Sequence, residues 1–126
     1  MAVAVVNHRE QLKTQIFLAL SSRYDELLQS ASPDFWLGMS LGTVLPERSE
    51  GVAILALRFY TLVSLGHYLF REHRIPKRMW VLLLRTAERR MRSPLFAREW
   101  EHLRYEFEAF PEFVELVTSV HRGSHK

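Results

Sequence analysis

Apolar residues recur along this chain at intervals of three and four, the spacing that places side chains on one face of an α-helix. The first such stretch covers residues 8–30, and Asn7 with Glu10 has the pattern of a capping box at its start. Further stretches follow at about 33–41, 50–73, 77–91, 93–107 and 110–120. None of them alternates between apolar and polar residues as a strand does.

Proline marks several boundaries between these stretches. Ser32-Pro33 and Ser93-Pro94 each combine a capping residue with proline at the first helical position. Ile75-Pro76 interrupts the longest apolar stretch, because the residue before a proline is pushed out of helical geometry. These signals predict where the helices begin and end.

The sequence therefore predicts an all-α single domain. We expect a bundle of five or six helices in which the apolar helix at 50–73 lies at the centre and the others pack around it. Gly42 is expected to end the second helix. Residues of about 8–120 are expected to be ordered, and 121–126 to form a flexible tail.

Length and composition fit this fold. A chain of 126 residues and 14.9 kDa suits one domain, which buries enough surface to be stable without disulfides or metals. The absence of cysteine from the sequence excludes disulfides, thiolate metal sites and thiol nucleophiles. The apolar start Met1–Val6 is too short for a signal peptide and has no basic residue ahead of it, so we expect a cytoplasmic protein.

The most apolar segment, residues 52–70, is close to the length that spans a membrane. The segment contains Arg58, and an arginine at the centre of a span raises the free energy of membrane insertion by about 2.5 to 3.5 kcal/mol. This cost offsets much of the favourable insertion energy of the aliphatic and Phe residues in the segment. We interpret the segment as the buried central helix of a soluble domain and predict no transmembrane span.

Charge is distributed in blocks along a chain of net charge +3. Residues 71–98 carry nine basic and two acidic side chains, which sum to +7. Residues 99–115 carry one basic and six acidic side chains, which sum to −5. A basic block followed directly by an acidic block is able to neutralise itself, so the high isoelectric point alone does not indicate nucleic-acid binding.

Four arginines of the predicted fourth helix lie within about 60° of one another, and we call them the arginine stripe. The stripe consists of Arg78, Arg85, Arg89 and Arg92. It favours contact with an acidic protein partner, with nucleic acid or with an anionic membrane surface. The alternative is a solvated face, or one paired with the acidic residues of the following helices. Those acidic residues are Glu101, Glu108, Glu112 and Glu115.

Arg58 also defines a candidate site. It shares a helical face with Thr61, Tyr68 and Glu72. If that face is buried, the guanidinium group needs a carboxylate partner, and the sequence predicts a buried ion pair. The candidate partners are Asp34, Glu50 and Glu72. One alternative is a side chain whose aliphatic part packs on the helix while the guanidinium group reaches water. The other is an anion-binding pocket in which Thr61 and Tyr68 form hydrogen bonds to a ligand.

The short second helix carries more apolar surface than two turns of helix can hide. Phe35 and Trp36 are followed by Leu37, Met39 and Leu41. We expect part of this surface to cap the bundle and part to meet a partner, with Trp36 as the anchor.

The sequence contains no motif that identifies a reaction. His67 and His73 are six residues apart, whereas two ligands on one helical face are four apart. There is no glycine-rich phosphate loop and no Gly-x-Ser-x-Gly elbow, and Asp25 and Asp34 are the only aspartates for a Ser-His-Asp triad. We predict no catalytic residue, no metal site and no cofactor.

Towards the carboxyl end, Arg92-Ser-Pro-Leu-Phe96 is followed by Trp100 and by Phe110-Pro-Glu-Phe-Val114. This pattern resembles small uncharacterised bacterial all-helical proteins, which also carry an amphipathic helix, an apolar central helix and a helix that begins at Ser-Pro. The resemblance implies an all-helical fold and carries no known activity with it.

These observations favour a non-catalytic helical module for protein-protein interaction or regulation. We expect it to self-associate and to contact a protein partner through the arginine stripe and Trp36. The first alternative is binding of nucleic acid or an anionic membrane surface through the stripe. The second is a small-ligand-binding protein or an enzyme with a pocket near Arg58.

Overall fold

The computed structural model describes residues 2–41, 45 and 47–123, and the side chains of residues 8–38, 45 and 47–123. Over these residues the chain forms six α-helices and one 3-10 turn and contains no strand, which confirms the predicted all-α single domain. The helices are α1 (Ala2–Gln29), α2 (Pro33–Leu41), α3 (Glu50–Arg71), α4 (Lys77–Met91), α5 (Pro94–Leu103) and α6 (Pro111–His121). The 3-10 turn, Arg104–Phe107, follows α5 directly.

Serine side chains cap three of the helices. Ser32 Oγ accepts a hydrogen bond from the backbone N–H of Phe35 at 3.1 Å. Ser49 and Ser93 accept equivalent bonds at the starts of α3 and α5. Each bond satisfies one of the backbone donors that the first turn of a helix leaves unpaired. The two predicted Ser-Pro helix starts are confirmed.

The predicted start of α1 and the predicted end of α5 are wrong. Helix α1 begins at Ala2, so Asn7 lies within the helix and is not its cap. The apolar residues 2–6 continue the helix toward the amino terminus. Helix α5 ends at Leu103, and its last apolar spacing continues as the 3-10 turn. The predicted helix end at Gly42 and residues 124–126 of the predicted tail lie outside the described residues.

Helix α3 lies at the centre of the bundle, as predicted, and packs against α1, α4 and α5. Its side chains Phe59, Tyr60 and Val63 are completely buried. The Tyr60 hydroxyl donates a hydrogen bond to the backbone carbonyl of Phe96 at 2.9 Å. This bond satisfies a polar group inside the core, where burial raises the pKa of Tyr60.

Gly66 allows the helices around α3 to approach closely. A Cβ atom at this position would lie 3.0 Å from Leu83 Cδ2, 3.2 Å from Trp80 Cζ3 and 3.3 Å from Leu20 Cδ2. These side chains come from α4 and α1. Gly66 is therefore a packing residue of the core rather than a polar interruption of the apolar segment.

Helix α3 ends in a Schellman motif. The N–H of His73 donates to the carbonyl of Phe70 at 3.0 Å, and that of Arg74 donates to the carbonyl of Leu69 at 2.7 Å. His73 takes the left-handed conformation that the motif requires, with φ of 59°. The helix therefore ends at Arg71, two residues before the predicted end.

By length and composition, α3 is apolar enough to cross a membrane. The most apolar 18 residues of α3 have a mean hydropathy of 1.4. Only 33% of these residues are buried inside the protein. The buried residues lie on the side that meets α1, α4 and α5. The opposite side of α3 is exposed and apolar, and it defines the candidate site.

Candidate functional site

Helix α3 has a face that points away from the core, and we call it the outer face of α3. With 3.6 residues per turn, its members lie within an arc of about 80°. They are Ile54, Arg58, Thr61, Leu65 and Tyr68, followed by Glu72, the residue that caps the carboxyl end of α3, and all are exposed. Ile54 and Leu65 each expose 42% of their surface and Tyr68 exposes 50%. Exposed large apolar side chains gathered among polar ones on one helical face are typical of a contact surface.

Two open grooves flank this surface. Leu57, Thr61 and Leu65 line both grooves and form a ridge between them. The first groove has a volume of about 450 Å³ and lies between α3 and α1. The second has a volume of about 600 Å³ and lies between α3 and the 3-10 turn. Their far walls are formed by Arg23, Glu26, Leu27 and Ser30 in the first groove and by Glu106, Phe107 and Phe110 in the second.

Arg58 does not form the predicted buried ion pair. Its side chain is exposed, as are those of Thr61, Tyr68 and Glu72, so the face that these four residues share is the outer one. The ion pairs of the described residues do not include Arg58 or Glu72. An exposed guanidinium group needs no carboxylate partner, because it is not desolvated. Both charges remain available to a partner.

A cluster of polar and aromatic side chains lies at the carboxyl end of α3. The half-buried ring of His67 packs against Trp80 and Phe113, with ring centroids 5.5 and 6.2 Å apart. Burial lowers the pKa of His67, and the nearby charge of Arg71 lowers it further. Arg71 in turn lies 4.0 Å from Glu112. His67 is thereby favoured in its neutral form, as a packing group.

The arginine stripe faces solvent, since all four of its side chains are exposed. Arg92 Nη2 lies 3.4 Å from Glu88 Oε2 on the same helix. Among the described residues, the other three arginines of the stripe form no ion pair. Most of the stripe is therefore a solvated basic surface.

The acidic residues of the following helices do not neutralise the stripe. Glu101 pairs with Arg104, with 3.7 Å between Oε2 and Nη1, and Glu112 lies next to Arg71. The ion pairs within the described chain include neither Glu108 nor Glu115. The expected pairing of the stripe with these four glutamates is thus not formed, and the two charge blocks meet instead through Arg71 with Glu112 and Arg98 with Glu99.

A completely buried carboxylate lies on α5. Glu99 has no exposed surface and accepts hydrogen bonds from two arginines. Arg48 approaches as a fork, with Nε 3.1 Å from Oε2 and Nη2 3.1 Å from Oε1. Arg98 Nε lies 3.0 Å from Oε2. The carboxylate therefore attaches the segment ahead of α3 to α5 through charged, bidentate contacts.

Two opposing effects set the pKa of Glu99. Burial alone would raise it, because a charge is less stable away from water. The hydrogen bonds and charges of Arg48 and Arg98 outweigh burial and hold the pKa of this carboxyl below its usual value. Glu99 is therefore ionised at neutral pH and serves as a structural anion.

Arg90, which lies on α4 outside the stripe, points inward. The guanidinium of Arg90 lies over the rings of Tyr24 and Trp36, 5.7 and 5.3 Å from their centroids. Arg90 Nη1 donates to the Tyr24 hydroxyl at 3.2 Å. Burial raises the pKa of Tyr24, although the charge of Arg90 opposes this. Cation-π contacts of this kind stabilise the junction of α1, α2 and α4.

Trp36 belongs to this same junction. Its indole N–H donates to the carbonyl of Leu28, and its ring stacks on Phe96 with the centroids 6.3 Å apart. The side chain is half-buried, while its neighbour Leu37 exposes 59% of its surface. Trp36 therefore packs α2 onto the bundle, and Leu37 is an exposed apolar residue among the described side chains of α2.

The sequence reasoning missed Arg48, Glu99 and Arg90. Glu99 lies three residues after Phe96 and four before Leu103, so its position on the apolar face of α5 was visible in the spacing. Arg90 follows Leu83 by seven residues and lies on the same buried face of α4. A charge on an apolar helix face is the signal that locates both. No comparable signal exists for Arg48, which lies outside the helices.

No protein-family model, no curated protein and no solved structure matches this chain. The resemblance to small bacterial helical proteins stays a prediction. The class that the fold and the site define is an all-α single-domain protein whose central helix leaves one apolar face exposed.

Proposed function

We propose that this protein is a non-catalytic helical interaction module that self-associates through the outer face of α3. The observation that carries the proposal is the exposed row of Ile54, Leu65 and Tyr68, flanked by a groove on each side. Burial of such side chains against another surface contributes about 25 cal/mol per Å² of apolar area, which provides a driving force for association.

The charges on the outer face favour a second copy as the partner. The face carries one cation, Arg58, and one anion, Glu72, and neither belongs to an ion pair of the described residues. A surface with both signs is complementary to itself when two copies are related by a two-fold axis. A strongly acidic or strongly basic partner would match only one of the two charges.

The solution mass tests this proposal. We expect light scattering on a size-exclusion column to give a multiple of 14.9 kDa that persists at high salt, because apolar contacts are little screened. Leu65→Asp places a carboxylate on the outer face and should give the monomer mass with an unchanged far-UV circular dichroism spectrum. The matched control is Leu82→Asp, because Leu82 is 61% exposed on α4 and should leave the oligomer intact.

Two results would overturn the proposal. A wild-type mass of 14.9 kDa at every accessible concentration would exclude self-association. An oligomer that survives Leu65→Asp would place the interface elsewhere on the molecule.

A second candidate function is the binding of nucleic acid through the arginine stripe. It is favoured by the exposure of Arg78, Arg85 and Arg89, which form no ion pair with the acidic block in the described structure. Clustered arginines bind phosphates through bidentate contacts, and such binding weakens steeply with salt.

Fluorescence anisotropy with a labelled single-stranded RNA and with duplex DNA tests this candidate. If three arginines contact phosphates of the duplex, the logarithm of the binding constant should fall against that of the salt concentration with a slope of roughly −2.7. Arg85→Glu with Arg89→Glu should abolish binding. A protein that binds neither probe at low salt, but floats with vesicles of anionic lipid, would assign the stripe to membranes instead.

A further inference from the structure

The charges of the outer face are arranged symmetrically about one leucine. Arg58 lies seven residues before Leu65, and Glu72 lies seven residues after it. Seven residues correspond to nearly two turns, so all three side chains share one face and each charge lies about 10 Å along the axis from Leu65. A cation and an anion at equal and opposite distances from an apolar centre form a self-complementary pattern.

From this symmetry we infer that two copies associate through antiparallel α3 helices, related by a two-fold axis that passes beside Leu65. Arg58 then faces Glu72 of the partner subunit, and the same pair occurs twice. The inference rests on the proposed function, since it assigns a register to the self-association proposed there. A parallel arrangement would instead place like charges opposite each other.

Leu65 of each copy meets its equivalent on the axis in this register. Tyr68 lines the second groove, on the side of the ridge away from α1. The two-fold axis brings the same side of both copies together, so Tyr68 projects toward the second groove of the other copy, which Leu57, Thr61 and Ser64 line. That groove is open and about 600 Å³ in volume, and its far wall carries the polar side chain of Glu106. Tyrosine is enriched at interfaces because it combines apolar area with one polar group.

Charge reversal tests the register. Arg58→Glu gives a chain with glutamate at both positions, and Glu72→Arg gives a chain with arginine at both. Each homodimer would contain two like-charge contacts in place of two ion pairs, and we expect its dissociation constant to rise on the order of tenfold to thirtyfold. The double variant, Arg58→Glu with Glu72→Arg, restores opposite charges and should restore the wild-type constant.

Mixing the two single variants gives the sharpest readout. In the mixed dimer both contacts join a glutamate to an arginine, so we expect the heterodimer to form in preference to either homodimer. Sedimentation velocity with one variant labelled measures this directly. Arg85→Glu is the control, because it reverses an exposed arginine of the stripe on α4 and should leave the dissociation constant unchanged.

The possible results separate the register from the proposed function. An oligomer that Leu65→Asp dissociates, but that neither charge reversal weakens, would overturn the antiparallel register and leave the self-association of the outer face standing. Weakening by either reversal without recovery in the double variant would also overturn the register. A wild-type monomer would overturn both the register and the proposed function.

Discussion

The inner face of α3 buries Phe59, Tyr60 and Val63 completely, whereas its outer face leaves Ile54 and Leu65 exposed. Both faces carry large apolar side chains, and the outer face also carries Arg58 and Glu72. The faces differ in their neighbours as well, because α1, α4 and α5 pack on the inner side. Packing within the chain buries the apolar residues of the inner face only. The exposed apolar residues of the outer face therefore indicate a contact with another molecule.

The largest expected difference between the two faces is in the free energy of unfolding. Phe59→Ala leaves a cavity in the core and should lower it by about 3 to 5 kcal/mol. Leu65→Ala removes a half-exposed side chain and should lower it by less than about 1 kcal/mol. Urea denaturation, at concentrations where the wild type is monomeric, measures both. Equal losses would mean that the outer face is part of the core.

A buried and an exposed glycine of α3 give the next largest contrast. Gly66→Val inserts a branched side chain where neighbouring carbon atoms lie 3.0 to 3.3 Å from the new Cβ, and overpacking should cost about 1 to 3 kcal/mol. Gly51→Ala is the control, because Gly51 is exposed and its Cβ would meet only Ser49 Oγ at 4.0 Å. It should stabilise the protein by up to about 1 kcal/mol in thermal or urea unfolding.

A buried and an exposed carboxylate should also differ in their contribution to stability. Glu99→Gln removes the charge held by Arg48 and Arg98 and should lower the free energy of unfolding by about 1 to 3 kcal/mol at pH 7. Glu72→Gln, on the outer face, should leave the free energy of unfolding of the monomer almost unchanged.

The effect of Glu99 depends on pH in a defined direction. The pKa of Glu99 is lower in the folded protein than its unfolded-state value of 4.5. The ionised carboxylate therefore contributes fully to stability above pH 4.5, and this contribution is lost as the pH falls through the pKa of the folded state. The stability difference between wild type and Glu99→Gln should therefore shrink in acid. A constant difference between pH 7 and pH 3 would show that the charge does not stabilise the fold.

The smallest effect is expected at the end of α3. His73 adopts a φ of 59°, a conformation that costs a residue with a Cβ more than it costs glycine. His73→Gly should raise the melting temperature, through a gain of up to about 1 kcal/mol, while His73→Ala should not. A loss of stability in the glycine variant would indicate that the exposed imidazole makes a stabilising contact.

Helical periodicity and Ser-Pro starts predicted the architecture, because caps and apolar spacing act locally. The candidate site was harder to predict. A buried ion pair was one interpretation of Arg58, because it interrupts an apolar helix. That interpretation is wrong, because the neighbours of α3 pack on its other side and leave Arg58 exposed. Sequence periodicity locates a face without showing whether another element covers it.

Glu99 and its partner Arg48 also show that neighbouring residues in the sequence predict burial better than they predict tertiary contacts. The apolar spacing of α5 contains the signal for a buried charge at position 99, but nothing local identifies Arg48 as its partner. The two residues are 51 positions apart and meet only through the tertiary fold. Contacts of this kind depend on the path of the whole chain.

The contact between Arg48 and Glu99 has a consequence for a chain that contains no cysteine. It joins two segments that are 51 positions apart, a separation over which a disulfide would restrict the unfolded chain substantially. The ion pair between Arg48 and Glu99 forms only in the folded state. Protonation of the Glu99 carboxylate weakens it, whereas a disulfide is broken by reduction. The attachment of the segment ahead of α3 is thus independent of the redox potential around the protein and sensitive to its acidity.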